Sequence, residues 1–466
     1  MQALMQIDSA INTPGLKRDI TTRYNNAGQQ RETRFVSNRM PDKDSHSDTH
    51  TDSGSDSRYE AHSQIDTTAS AGIKDAGEAQ PCTDQYSDIR PYTDAEVTAV
   101  LERLGQSQSL HQALVGYRYP RLPTWMKGLS SRVLGWQLRR HFAPVTTVAA
   151  FQDWLGQWVH HLVTNTTAQL EIHGLEHLTK GHPYLWLSNH RDIAMDPTLV
   201  NYALMTQAWP TAHIAIGDNL LQNPILADLM RLNKSFIVKR SAANKREKLR
   251  ELQRLSAYIR DSMASGHSVW LAQREGRSKD NLDHTDTAVL KMLALSGREE
   301  ALDFTQSLSR LSPVPVLIQY EWDPCDRLKA RELVARERDG QYVKAAGEDT
   351  QSMMLGLKGH KGRVRLCFGR PLDAVELASA ASMAAATDQQ LQSMKQVLPS
   401  HQAAVWLLKH EFGVELDEVR LPAADQLAPD QLPIAAMRAR YQGESPEVAR
   451  RLLTTYAASI LGSNVI

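Results

Sequence analysis

The chain has 466 residues, enough for one large domain with appendages or for two domains around a sizeable core. Its 53 lysines and arginines balance 53 aspartates and glutamates, so partners have to be read from local rather than net charge. Three scattered cysteines, Cys82, Cys325 and Cys367, exclude a disulfide framework and a cysteine-built zinc site, and fit a reducing cytosolic compartment.

The opening MQALMQIDSAINTPGLKRD has no basic region followed by an apolar run, so no secretory signal is expected. No window approaches the ~20 apolar residues of a spanning helix, which leaves a membrane surface open but not a crossing. Residues 1–90 are poor in apolar side chains and rich in Ser, Thr, Asp, Gln and Gly, as in DSHSDTHTDSGSDS. Such a segment buries too little surface to offset its ordering entropy and is expected to be a disordered polar tail.

A helical region follows, over 91–165. TDAEVTAVLERL starts with Thr93 as cap and an acidic first turn. Between Glu102 and Asp153 there is no acidic residue, while Arg118, Arg121, Lys127, Arg132, Arg139 and Arg140 are basic. Trp125, Leu129, Val133 and Trp136 recur at helical spacing in the same stretch. That combination suits a helix lying in the headgroup region of an anionic membrane. The competing reading packs the same apolar stripe onto the main domain. FQDWLGQWVHHLV reads as a core-packing helix.

From residue 166 to 375 short β-rich runs alternate with helical windows. The runs are QLEIHGL, YLWLSNH, HIAIGD, SFIVKR, SVWLAQ, VPVLIQYEW and RVRLCFG. The windows between them carry apolar residues at i, i+3, i+4 spacing, with Gly266 and Gly297 placed as helix C-caps. This predicts an α/β domain with a largely parallel or mixed sheet flanked by helices, and helical appendages at both ends. Residues 376–466 read as helical, ending in a helix capped by Ser445, opened by Pro446 and stopped by Gly462.

The segment SNHRDIAMD, residues 188–196, contains the His-Arg-Asp of a protein-kinase catalytic loop. A kinase needs an asparagine five residues after that aspartate, and Pro197 stands there. No Asp-Phe-Gly follows, so that reading is rejected. His190 instead falls in a strand-to-helix loop, where function collects in such sheets. A histidine oriented by a carboxylate is the smallest apparatus for general-base work near neutral pH.

Four ordered blocks carry a resemblance to a known family: NHRDIAMD at 189–196, SFIVKR at 235–240, REGRS at 274–278 and VPV at 314–316. Over roughly 165–375 the chain resembles the glycerol-3-phosphate/lysophosphatidate acyltransferase superfamily. The resemblance implies His190 as general base, oriented by Asp196 or Asp192. It implies Lys239, Arg240 and Arg277 on the acceptor's phosphate, with Arg274 in the same block and Glu275 and Gly276 shaping the loop. Pro315 would rigidify the acyl-donor side. Arg191 and Ser278 match the motifs without an assigned role.

Two departures stand out. The family usually spaces histidine and aspartate by four residues, but position 195 is Met195 and the aspartate is Asp196. Asp196 is the favoured partner, with Asp192 as the alternative. A glycine common before the second block is replaced by Asn233-Lys234. The resemblance further implies acyl transfer from acyl-CoA or acyl-carrier protein, as co-substrates, to a hydroxyl of a phosphorylated glycerol acceptor. No cofactor, metal or nucleic acid is expected, since His173, His177 and His182 match no zinc spacing. The expected location is the cytoplasmic face of the inner or plasma membrane, peripherally bound. The alternatives are transfer to another lipid hydroxyl, such as a lyso-amino-lipid, and a non-catalytic lipid- or acyl-carrier-binding protein. The basic run from Arg231 to Arg250 begins at the proposed phosphate site and adds a possible anionic-ligand surface.

Overall fold

The computed structural model describes residues 84–119, 122–241, 244–345, 347–416 and 427–462. The polar segment 1–83 and Cys82 lie outside the described residues.

All seven expected strands form: β1 Gln169–His173, β2 Leu185–Ser188, β3 His213–Gly217, β4 Ser235–Val238, β5 Val269–Ala272, β6 Pro313–Tyr320 and β7 Arg363–Phe368. They make one sheet in the order β1-β7-β6-β2-β5-β3-β4, parallel at every pairing except the antiparallel β6–β7. The central strands β2 and β6 are buried along their whole length, because helices cover both faces. Buried parallel strands read as continuous apolar runs, which is why LWLS and PVPVLIQY lack a polar-out alternation.

Strand alternation still sorts the side chains between two cores. Leu185, Leu187, Val269 and Leu271 face one, beside α7 (Lys245–Ala264), α8 (Thr287–Leu293) and α12 (Ala380–Met394). Trp186, Ile214, Trp270 and Val314 face the other, beside α4 (Val148–Thr166) and α5 (Met195–Thr206). The remaining helices of the α/β region are α6 Pro224–Leu232, α9 Phe304–Ser309, α10 Asp326–Asp339 and α11 Glu348–Lys358.

The N-terminal helices are α1 Asp94–Gln106, α2 Gln108–Arg118 and α3 Thr124–Phe142. Thr93 starts α1 as expected, with Glu96 accepting from its amide and hydroxyl. Gly135 lets α3 approach α2, since a Cβ there would meet the His111 ring at 2.4 Å. The C-terminal helices α13 Pro399–His410, α14 Ile434–Tyr441 and α15 Pro446–Leu461 build their own apolar cluster with Trp322 and Ala330. Ser445 caps α15 through Val448 N at 3.3 Å.

Three local expectations change. Residues 85–90, grouped with the polar tail, pack on the domain: Ile89 is buried and its carbonyl accepts from Ile237 N at 2.8 Å, closing the edge of β4. Gly266 does take the left-handed position after α7, at φ +86°, but Gly297 sits inside a 3-10 turn and caps nothing. Gly297 is there for space, because a Cβ would meet Ser307 Oγ at 2.0 Å. Where a glycine was missing before β4, Lys234 itself adopts φ +58°, and its Nζ donates to Thr211 Oγ1 at 2.8 Å.

Candidate active site

The carboxyl ends of β2, β5 and β4 bring the first three motif blocks to one side of the sheet, where an open parallel sheet places its ligands. His190 leaves β2 and lines a cleft of about 340 Å³. Lys239 and Arg240 leave β4, and Arg274, Glu275, Gly276 and Arg277 leave β5; all six line the same cleft.

His190 Nδ1 lies 2.8 Å from Asp196 Oδ2. Asp196 is fully buried in the first turn of α5. The same oxygen accepts from Arg191 N at 2.5 Å and Asp192 N at 2.9 Å, while Oδ1 accepts from Tyr320 Oη at 2.8 Å. A carboxylate surrounded by donors can only accept from the ring. We therefore assign the proton to Nδ1, which leaves the Nε2 lone pair for the cleft. Burial and the Asp196 charge push the Tyr320 hydroxyl well above its ordinary value, so Tyr320 remains a donor. The edge of the ring pair with Trp270, 5.7 Å between centroids, fixes the other side of the imidazole.

The extra residue between His190 and its aspartate is absorbed by a turn that Asp192 closes. Asp192 Oδ1 accepts from Ala194 N at 2.9 Å and Met195 N at 2.8 Å, so it caps the start of α5 rather than orienting the histidine. Burial first, then the Asp196 charge, raises its carboxyl above the usual range. Its Oδ2 is buried without a hydrogen-bond partner and packs on Gly356, where a Cβ would sit 2.0 Å away.

Asn189 is also fully buried, and its amide exchanges two bonds with the Ile318 backbone, 2.8 and 3.0 Å. It ties the end of β2 to β6 and does not face the cleft. Ser278 N donates to the His190 carbonyl at 2.7 Å, so the third motif supports the first directly.

The cationic residues differ in availability. Arg240 lies over Gly217, where a Cβ would meet its guanidinium at 2.9 Å, and pairs loosely with the exposed Glu275 at 3.5 Å. Lys239 is held by Asp88 at 2.6 Å, in the segment that seals β4. Arg277 also lines an adjoining polar cavity of about 590 Å³, and its Nη1 is buried without a hydrogen-bond partner among the described residues. Gly276 takes φ +78° in open space, so its role is the left-handed turn and not a close approach.

The basic run divides. Arg231 is spent on the backbone of Ser87 and Arg90, and Lys245, Arg246 and Arg250 are exposed on α7, while Lys239, Arg240 and Lys248 line the cleft. Pro315 is buried inside β6 opposite Leu187 and does not line the cleft, so any part it plays would be through the strand. Gly369 N, just past β7, donates to the Pro315 carbonyl at 2.8 Å, so the proline still serves as an acceptor at the end of the β6–β7 ladder.

The cleft floor is apolar, built by Val238, Leu252, Leu255, Leu271, Val289 and Met292. An imidazole paired with a buried carboxylate, guanidinium groups and an apolar floor meet in one space. Tyr320, Gly217 and Trp270 were not singled out for the site from the sequence; nothing in their local pattern separates them from core residues.

Residues 169–311 match the family model described as Acyltransferase. No curated protein matches the sequence. Among solved structures, the chain is similar to the 1-acyl-sn-glycerophosphate (LPA) acyltransferase PlsC from Thermotoga maritima. Identity is 12% over 64% of this chain and 92% of that one, with a TM-score of 0.32.

Proposed function

Because residues 169–311 match the family model described as Acyltransferase, we propose that the chain is an O-acyltransferase of the glycerolipid type that acylates a hydroxyl of a phosphorylated glycerol. Glycerol-3-phosphate and 1-acylglycerol-3-phosphate are the leading acceptors, and acyl-CoA or acyl-carrier protein is the donor. The observation that carries this reading is the His190–Asp196 pair, 2.8 Å apart, opening onto a cleft with Arg240 and Arg277 above an apolar floor.

In this mechanism His190 Nε2 takes the proton of the acceptor hydroxyl as its oxygen attacks the thioester carbonyl. Asp196 stabilises the imidazolium that forms, and the tetrahedral intermediate collapses with the proton passing to the departing thiolate. No acyl-enzyme forms. General-base help of this kind contributes of order 10²–10⁴-fold. Planar guanidinium groups match the acceptor phosphate, and the apolar floor takes the acyl chain.

A membrane-surface location, on the cytoplasmic face, is part of the proposal. Among the described residues no helix is long and apolar enough to cross a membrane. Trp125, Leu129, Val133 and Trp136 stand 74%, 60%, 46% and 55% exposed along α3, which favours lipid contact over packing on the domain. Interfacial aromatics flanked by arginines suit anionic headgroups.

The test is thiol release from palmitoyl-CoA, and from acyl-carrier protein, by the full chain with liposomes. Glycerol-3-phosphate, 1-acylglycerol-3-phosphate and a lyso-amino-lipid form the acceptor panel. Release that requires a phosphorylated glycerol and is lost in His190→Ala supports the reading; release only with the lyso-amino-lipid, or none, overturns it.

A further inference from the structure

The chain after residue 311 lies beyond the stretch that matches the acyltransferase family, yet it holds both motif loops. Two successive peptide groups at His190 are each fixed at both ends. In the first, the His190 carbonyl accepts from Ser278 N at 2.7 Å and Arg191 N donates to Asp196 at 2.5 Å. In the second, Asp192 N donates to Asp196 at 2.9 Å and the Arg191 carbonyl accepts from Lys329 Nζ at 2.7 Å.

Lys329 comes from α10 and is 3% exposed. Its other partner is Asp323 at 2.5 Å, which the ammonium helps hold below the ordinary carboxylate range against the opposing effect of burial. Asp323 N in turn donates to Tyr456 Oη on α15 at 2.9 Å. The Arg191 side chain is gripped in the same way. It pairs with the buried Asp283 at 2.7 Å, which also takes Lys395 at 2.9 Å, just after α12. A third tie runs from Asn281 Nδ2 to Ser459 Oγ on α15, 2.7 Å.

A buried ammonium is unfavourable unless fully paired, and here one is aimed at a carbonyl whose peptide group also binds the histidine's carboxylate. We propose that the chain after residue 311 is a clamp on the catalytic loop, with Lys329 of α10 and Lys395 after α12 as positioning residues that keep Asp196 and His190 in register. The inference rests on His190 being the base, and it gives the helices after residue 376 a part in acyl transfer.

The experiment uses the full chain carrying Lys329→Gln, Lys329→Arg or the less buried Lys395→Gln. Amide exchange over 189–196 and steady-state kinetics are measured together. Loss of the clamp should speed exchange in 189–196 at least about tenfold while 213–217 is unchanged. kcat should fall roughly tenfold to a hundredfold with both KM values within about threefold, because misplacement costs rate rather than binding. Lys329→Arg should recover part of kcat. Lys395→Gln covers the case in which Lys329→Gln fails to fold.

Unchanged exchange in 189–196, or faster exchange with undiminished kcat, overturns the clamp. A wild-type chain with no acyl transfer would instead remove the proposed function, and the exchange data alone would then decide whether the loop is clamped.

Discussion

His190 and Asp196 are six residues apart in the chain, yet Nδ1 and Oδ2 lie 2.8 Å apart because Asp192 folds the intervening turn back on itself. The two aspartates therefore have separable roles. Asp196→Asn puts an amide beside Nδ1 and should lower kcat by roughly 10²-fold or more through loss of tautomer control. Asp192→Asn retains an oxygen for the Ala194 and Met195 amides and should keep activity within about tenfold, whereas Asp192→Ala should cost about 1 kcal/mol of stability. Full activity in Asp196→Asn with none in Asp192→Asn would reverse the assignment.

Arginine and lysine at the cleft should not be equivalent. Arg277 has a buried Nη1 without a hydrogen-bond partner among the described residues, whereas Lys239 is held by Asp88. Arg277→Ala is expected to raise the acceptor KM about ten- to a hundredfold, the range of a charge-assisted bond to phosphate. Lys239→Ala should change it by less than about threefold, showing mainly as lost stability at the β4 edge. Acceptor titrations at saturating donor decide the matter.

The exposed stripe on α3 gives a vesicle-binding prediction. Replacing Trp125 and Trp136 together by serine removes aromatic area that would be buried in the headgroup layer. At about 25 cal/mol per Å² and roughly 200 Å² per indole, binding to anionic vesicles should weaken by well over tenfold. Raising salt should weaken the wild type further through the neighbouring arginines. Co-sedimentation with anionic and neutral vesicles reads both effects. Undiminished binding in the double variant would assign the stripe to another partner.

Two histidines, His401 fully buried and His213 half-buried, predict an acid-side loss of stability. Burial, with Arg191 and Lys395 nearby, lowers His401 from 6.5 to about 3; burial, with His267 and Lys234, lowers His213 to about 3 as well. Between those values the unfolded chain binds protons that the folded chain does not. Stability therefore falls as pH drops from 6.5 toward 3, by about 1.4 kcal/mol per pH unit for each histidine. The raised Asp192 has the opposite sign, so the clean observable is a difference. His401→Gln should flatten the profile by one proton relative to wild type in denaturant titrations from pH 7 to 4. An unchanged slope would mean that His401 titrates normally.

The sheet was legible residue by residue because its signal is local. Runs such as YLWLSNH and SVWLAQ are apolar on both faces, and a strand buried under two helical layers has to be. The loops that carry His190, Arg240 and Arg277 followed from the same reading, since each begins where an apolar run stops. The α3 stripe was legible as a pattern but not as a surface. Periodicity says that four side chains share a face, and only packing on α1 and α2 says that the face is left uncovered.

By itself the sequence determined the α/β alternation, the acyltransferase motif order and His190 as the candidate base, because each depends on residues within one strand and its following loop. The tertiary structure alone decided that Asp196 rather than Asp192 orients the ring and that Tyr320 completes its shell. It also buried Pro315 in β6 and brought Lys329 onto the loop that carries His190. Those outcomes depend on hydrogen bonds between groups more than a hundred residues apart in the case of Tyr320 and Lys329. Side-chain spacing cannot encode such a contact; only the folded sheet, by fixing where each loop emerges, sets which donor reaches which carbonyl.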